Sequence, residues 1–131
     1  MKRTLLLLTL FIALLLLTCA FCAGAAAYTA RVSQELLTLW ARTPEGKTDA
    51  AAGREARLLA KEIEALIYKE EEKLAFFIRY DTVNRAHTAA SLFCAAADAG
   101  SDEDYRRARI TLFDALGTLD RSGALSFELF F

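Results

Sequence analysis

Residues 4–30 form a run of 27 residues without a single charge, directly behind Lys2 and Arg3. Any fold of this chain has to remove that run from water, shed it, or hand it to a membrane. As a helix rising about 1.5 Å per residue it reaches roughly 40 Å, more than the roughly 30 Å hydrocarbon core of a bilayer. It reads as a signal-anchor, a transmembrane helix over residues 1–30, with residues 31–131 forming a separate domain. Lys2 and Arg3 stay in the cytoplasm by the positive-inside rule, so that domain is expected outside it. The competing reading is a cleaved signal peptide, because the most apolar part, residues 5–17, is short and small residues follow at Ala23-Gly24-Ala25 and Ala25-Ala26-Ala27. Either fate exports the domain. Lipidation is not expected, since Thr18 and Phe21 precede Cys19 and Cys22 where a smaller residue is needed.

Cys19 and Cys22 form a C-x-x-C, but inside the apolar run and without a lysine or histidine beside it. They read as packing residues of a membrane helix and not as a disulfide-exchange pair. Cys94 is then alone in the exported part, so no disulfide framework is expected.

Of the 16 Lys and Arg, all but Lys2 and Arg3 lie in residues 31–131, leaving 14 against 17 Asp and Glu, a net charge of −3. Both signs are interspersed. No basic face for nucleic acid is implied, and no acidic tail. About a hundred residues suffice for one modest core whose net stability is a few kcal/mol.

The periodicity of that part is helical, with one proline and, outside the tail, no alternating run of β-branched residues longer than a few positions. Val32, Leu36, Leu39 and Trp40 carry a first helix on from the apolar run to Arg42. Thr43-Pro44-Glu45 reads as a cap with proline in a first turn. A second helix over about residues 49–78 shows a stripe of Leu59, Ile63, Leu66, Ile67, Leu74, Phe77 and Ile78. Glu70-Glu71-Glu72, between Lys69 and Lys73, is expected to be a solvated turn held by ion pairs with near neighbours. A bend near Arg79-Tyr80-Asp81 leads to a third helix with Val83, His87, Ala90, Cys94 and Ala97 on one face. Gly100 and Ser101 end it and cap a fourth, whose first turn carries Asp102, Glu103 and Asp104 at the positive end of the helix dipole. Tyr105, Ala108, Leu112, Ala115, Leu116 and Leu119 continue it until it gives out at residues 120–123. The expected fold is all-α: the N-terminal transmembrane helix, then a small antiparallel bundle of three to four helices with an apolar C-terminal tail. The turns "EGKTDAAAGREARLL" and "AGSDEDYRRARITLF" share a faint plan, a hint about packing.

No hydrolase elbow, phosphate-binding glycine loop or zinc spacing occurs in the sequence. His87 reads as a packed, hydrogen-bonded core residue, and it stands two turns, about 10 Å, from Cys94, too far for a nucleophile pair. No catalytic residue, metal site or cofactor is expected. Trp40, Tyr68, Phe76, Phe77 and Tyr80 fall near helix ends and form either core or an exposed aromatic patch.

The tail, "LSFELFF", remains. Leu125, Phe127, Leu129 and Phe131 alternate with Ser126, Glu128 and Phe130, so an extended segment has one apolar edge. It serves either as a lid in a groove between helices or as a docking peptide formed by Leu125, Phe127, Leu129, Phe130 and Phe131. The tail also carries a resemblance. A short basic start, one membrane helix, a helical domain and a Leu-Ser-x-Glu-x-x-Phe ending, here Leu125, Ser126, Glu128 and Phe131, resemble the bacterial family catalogued as domain of unknown function 4363. Phe127, Leu129 and Phe130 depart from that ending, and Tyr68 and Tyr80 stand where the family leads one to expect tryptophan and histidine. The resemblance implies a membrane-anchored helical domain outside the cytoplasm and supplies no activity, cofactor or catalytic residue.

The expected function is that of a non-catalytic accessory or scaffold, tethered in the lipid bilayer by its N-terminal helix and binding another membrane or envelope protein. The alternatives are a cleaved, secreted helical protein binding an apolar ligand, and an exported enzyme using His87, Cys94 or the Cys19-Cys22 pair. Deleting residues 125–131 is expected to lower the melting temperature of residues 31–131 by several degrees if the tail is buried. An unchanged melting temperature marks it as a free docking segment.

Overall fold

The computed structural model describes the backbone of residues 1–130 and the side chains of residues 1–123. Within it the chain is all-α, with four helices: α1 Lys2–Arg42, α2 Ala50–Phe77, α3 Tyr80–Ala99 and α4 Asp102–Phe130. Each of α1 and α3 packs against both α2 and α4. Successive helices run antiparallel: α2 returns along α1 until Phe77 meets Phe21 and Tyr28, and α4 returns until Gly123 meets Thr29.

The caps explain the boundaries. The Asp49 carboxylate accepts from the Ala52 amide at 2.7 Å and starts α2, and Ser101 Oγ accepts from the Asp104 amide at 3.2 Å at the start of α4. Asp102, Glu103 and Asp104 occupy the first turn of α4, where its dipole favours them. Ile78 is extended and Arg79 non-helical, and together they separate α2 from α3. Pro44 plays the opposite part to the one its position suggests. Thr43 is the C-cap of α1 with φ −68° and ψ 141°, so the proline ends that helix and begins none. A proline disfavours the helical conformation in the residue before it.

α1 is continuous through the boundary at residues 30–31, and its two halves have different surroundings. Residues 1–18 are exposed throughout, whereas Thr29, Val32, Ser33 and Leu36 are buried in the bundle. α1 is long and apolar enough to cross a membrane. The core joins Val32 and Leu36 to Ile63, Ile67 and Leu74 of α2, Ala86, Ala90 and Phe93 of α3, and Tyr105, Leu112, Leu116 and Leu119 of α4. Each large side chain of this set contributes about 1.5–3 kcal/mol by leaving water.

The two turns of similar plan lie side by side. The Lys47 amide donates to Asp102 Oδ1 at 2.6 Å, and Lys47 Nζ donates to the carbonyls of Ala96 at 2.8 Å and Gly100 at 2.6 Å. A lysine from the α1–α2 loop thereby covers the carbonyls at the end of α3, sharing that of Ala96 with the Gly100 amide, where positive charge is also favoured by the dipole. Trp40 finds its partner in the same region: Nε1 donates to the Arg109 carbonyl at 2.9 Å, and the Arg109 guanidinium lies 4.0 Å from the centre of the indole ring.

Two expectations about the C-terminal end change. α4 does not give out at residues 120–123 but continues to Phe130. Gly123 serves there as a close-approach residue, since a Cβ on it would stand 2.7 Å from Thr29 Oγ1. The backbone of residues 125–130 is accordingly helical and not extended, which pairs its amides and carbonyls without a neighbouring strand. The side chains of Leu125, Phe127, Leu129, Phe130 and Phe131 lie outside the described residues.

Two glycines should respond in opposite directions. Gly53, in the first turns of α2, has open space where a Cβ would go, so Gly53→Ala should stabilise by about 0.5–1 kcal/mol. Gly123→Ala should destabilise by about 1–3 kcal/mol through the Thr29 clash. Chemical denaturation of both variants against the parent chain measures the two signs.

Candidate functional site

The end of the bundle from which the exposed half of α1 emerges holds a buried carboxylate and an open groove. The carboxylate belongs to Glu70-Glu71-Glu72, whose solvated-turn reading the structure corrects. Successive residues on a helix point about 100° apart. Glu70 is therefore turned towards α1, Glu71 towards α3, and only Glu72 outwards to solvent. Glu70 is 8% exposed and accepts a hydrogen bond from the Tyr28 hydroxyl. Glu71 Oε2 lies 2.7 Å from His87 Nδ1. No ion pair with Lys69 or Lys73 occurs among the described residues.

Tyr28 joins the two sides of this end. Its ring meets the edge of Phe77 at 6.1 Å and carries the Arg31 guanidinium at 5.6 Å, while Phe77 also packs on Phe21 at 5.7 Å. Between α1 and α2 these groups leave a groove of about 460 Å³, with Phe21, Gly24 and Phe77 along it and Arg31 and Lys73 on its rim. Gly24 has no atom within 4 Å of where its Cβ would stand, so α1 leaves this stretch of the groove open. Phe76 is 86% exposed and Tyr80 70% exposed at the adjoining α2–α3 turn.

The five aromatics grouped from the sequence therefore separate. Phe76, Phe77 and Tyr80 belong to this end, Tyr68 stands against His87 with ring centres 6.3 Å apart, and Trp40 lies towards the other end beside Arg109 and Phe113. Tyr68 is 69% exposed, and only Phe77 and Trp40 are partly buried against the core.

His87 and Cys94 also move from their expected places. The core line of α3 is Val83, Ala86, Ala90, Phe93 and Ala97, and both His87 and Cys94 are half-buried on its flank beside α2. His87 is hydrogen-bonded as expected but is not a core residue. Packing decides the difference, because the alanines let α3 approach its neighbours along one line and push the larger polar side chains to the margin. Burial raises the Cys94 thiol to about 11, and the charge of Glu64 adds to the rise. The thiol stays protonated at neutral pH and is a poor nucleophile there. Among the described residues no group of three or more His, Cys, Asp and Glu side chains is arranged to hold a metal ion.

The Tyr28–Glu70 contact had no local signal, since the two residues are 42 positions apart. A sequence cue existed only in part: Glu70 follows Ile63 and Ile67 on the buried side of α2 at spacings of seven and three. Comparison with family models, with curated proteins and with solved structures finds no match for the chain.

In a chain with Cys19 and Cys22 replaced by serine, alkylation of Cys94 by iodoacetamide at about pH 8 should run about a hundredfold slower than that of a free cysteine, because a raised pKa leaves less thiolate. The rate should climb about tenfold per pH unit towards pH 11 and reach the free-cysteine rate in urea. A fast reaction at pH 8 in the folded protein would contradict the burial argument.

Proposed function

We propose that the protein is a single-pass, membrane-anchored helical accessory or scaffold. Its N-terminal helix crosses the bilayer, its bundle lies outside the cytoplasm, and it acts by binding another membrane or envelope protein without catalysing a reaction. The observation that carries this reading is the continuity of α1. One helix is bare and apolar over its first half and part of the bundle core over its second. A tether continuous with the core holds the bundle at a set height and orientation, whereas a flexible linker would let it wander.

Exposed large apolar residues supply contact surface on three helices: Leu58 on α2, Leu92 on α3 and Ile110 on α4, each more than half exposed. The resemblance to the domain of unknown function 4363 family favours the same architecture. The charge pattern, with Lys2 and Arg3 before the apolar run, favours the outward orientation of the bundle.

An alkaline wash of native membranes followed by intact-mass measurement tests the anchor. The full-length chain should remain in the membrane fraction, and purification in mild detergent after cross-linking should bring down one partner in stoichiometric amount. A shortened chain beginning near Ala26 or Tyr28 in the supernatant would overturn the anchor. A full-length, membrane-retained chain that never carries a stoichiometric partner would overturn the scaffold role alone.

A further inference from the structure

We infer that the groove between α1 and α2 binds one anionic phospholipid of the outer leaflet, with its phosphate between Arg31 and Lys73 and an acyl chain along Phe21, Gly24 and Phe77. This inference rests on the membrane-anchored reading of α1. It follows from the heights of the groove's parts along that helix and from the charge on its rim.

If the hydrocarbon layer begins near Leu5, a helix rising about 1.5 Å per residue leaves it near Gly24 after roughly 30 Å. Phe21 then lies about 5 Å inside that boundary, and Tyr28 and Arg31 about 6 and 10 Å outside it. Phe77 packs against both Phe21 and Tyr28, so it stands close to the boundary itself. Lys73 lies one turn of α2 further out, about 6 Å. Lys73 thus falls within the headgroup layer, which extends roughly 5–7 Å beyond the hydrocarbon on each side, and Arg31, whose backbone stands a few Å beyond it, reaches that layer with its long side chain, directed back over the Tyr28 ring.

The chemistry of the rim matches that height. Neither Arg31 nor Lys73 takes part in an ion pair among the described residues. Glu70, one turn before Lys73 on α2, is turned inward and occupied by the Tyr28 hydroxyl. Two cations without a carboxylate partner, above an apolar floor, complement a phosphate diester attached to a hydrocarbon chain. The floor continues without a break into the exposed apolar half of α1, so a lipid reaches it by lateral diffusion. Gly24 keeps the floor open, since nothing lies within 4 Å of where a Cβ on it would stand.

The test is native mass spectrometry of the full-length chain released from nanodiscs that contain phosphatidylglycerol and phosphatidylcholine with identical acyl chains. The expected result is one retained phosphatidylglycerol per chain, in preference to phosphatidylcholine. Arg31→Gln with Lys73→Gln should reduce its occupancy at least about tenfold, the size expected when charge-assisted contacts are lost. The same pair of changes at Arg54 and Arg57 should leave it unaltered. Gly24→Leu, which fills the groove from α1, should reduce it similarly while the melting temperature stays at the parent value. Equal retention of both lipids, or occupancy that survives Gly24→Leu, would overturn the site. Displacement of the lipid by excess inorganic phosphate would reassign the rim to free phosphate and overturn it as well. A chain found soluble and shortened would remove the membrane reading and this inference together, whereas a membrane-retained, full-length chain without lipid preference would remove this inference only.

Discussion

One unbroken helix has to satisfy two surroundings, and the arrangement of the other three follows from where it changes over. Up to Thr18 α1 has no cover from the rest of the described chain. From Thr29 onwards it presents Val32, Ser33 and Leu36 to the core. A helix can do this because its backbone hydrogen bonds are internal and remain satisfied in lipid, in protein or in water. The changeover falls between Phe21 and Tyr28, where the end of α2 arrives. Aromatic contacts cover that step: Phe77 touches both rings, and Tyr28 reaches across to a buried carboxylate.

The opposite end is held in another way. There the α1–α2 loop lies against the α3–α4 turn, and the contacts are polar: Lys47 on the carbonyls at the end of α3, Arg109 donating to Thr43 Oγ1 at 2.9 Å, and the Tyr105 hydroxyl donating to the Pro44 carbonyl at 2.7 Å. Burial raises the Tyr105 hydroxyl above its ordinary range, so it serves as a neutral donor. The bundle therefore has a polar, tightly capped end and an aromatic end that adjoins the apolar half of α1. In the membrane-anchored reading the second of these is the end that meets headgroups. The last two turns of α4 lead back towards the same end, because α4 runs antiparallel to α1 and continues beyond Gly123 for roughly 10 Å.

The chemistry-bearing residues are spread over the bundle and held by their neighbours. His87 pairs with Glu71 at the α2–α3 seam, Cys94 lies two turns further along α3, and Glu70 is engaged with α1. Each has a packing or hydrogen-bonding explanation. The groove beside Tyr28 differs from them, because its two rim cations lack carboxylate partners among the described residues while its floor is apolar.

Local sequence determined the helices, the cap at Ser101, the break at Arg79 and the apolar run, because these depend on residues within a few positions of one another, whereas the cap read at Thr43-Pro44 is the end of α1 and Asp49 starts α2. It also placed Ile63, Ile67 and Leu74 on an inward face, since helical periodicity ranks faces without reference to partners. It could not say what an inward-facing residue would meet. Glu70 looked like one of three solvated acids until α1 supplied a tyrosine, and Gly123 looked like a helix end until Thr29 came within reach of it. His87 and Cys94 shared a sequence face with Val83 yet lie at its margin, because the line of closest helix approach is set by both partners. Those outcomes belong to the tertiary structure for a single reason: they are decided by which helix lies opposite, and helical periodicity carries no information about the neighbour.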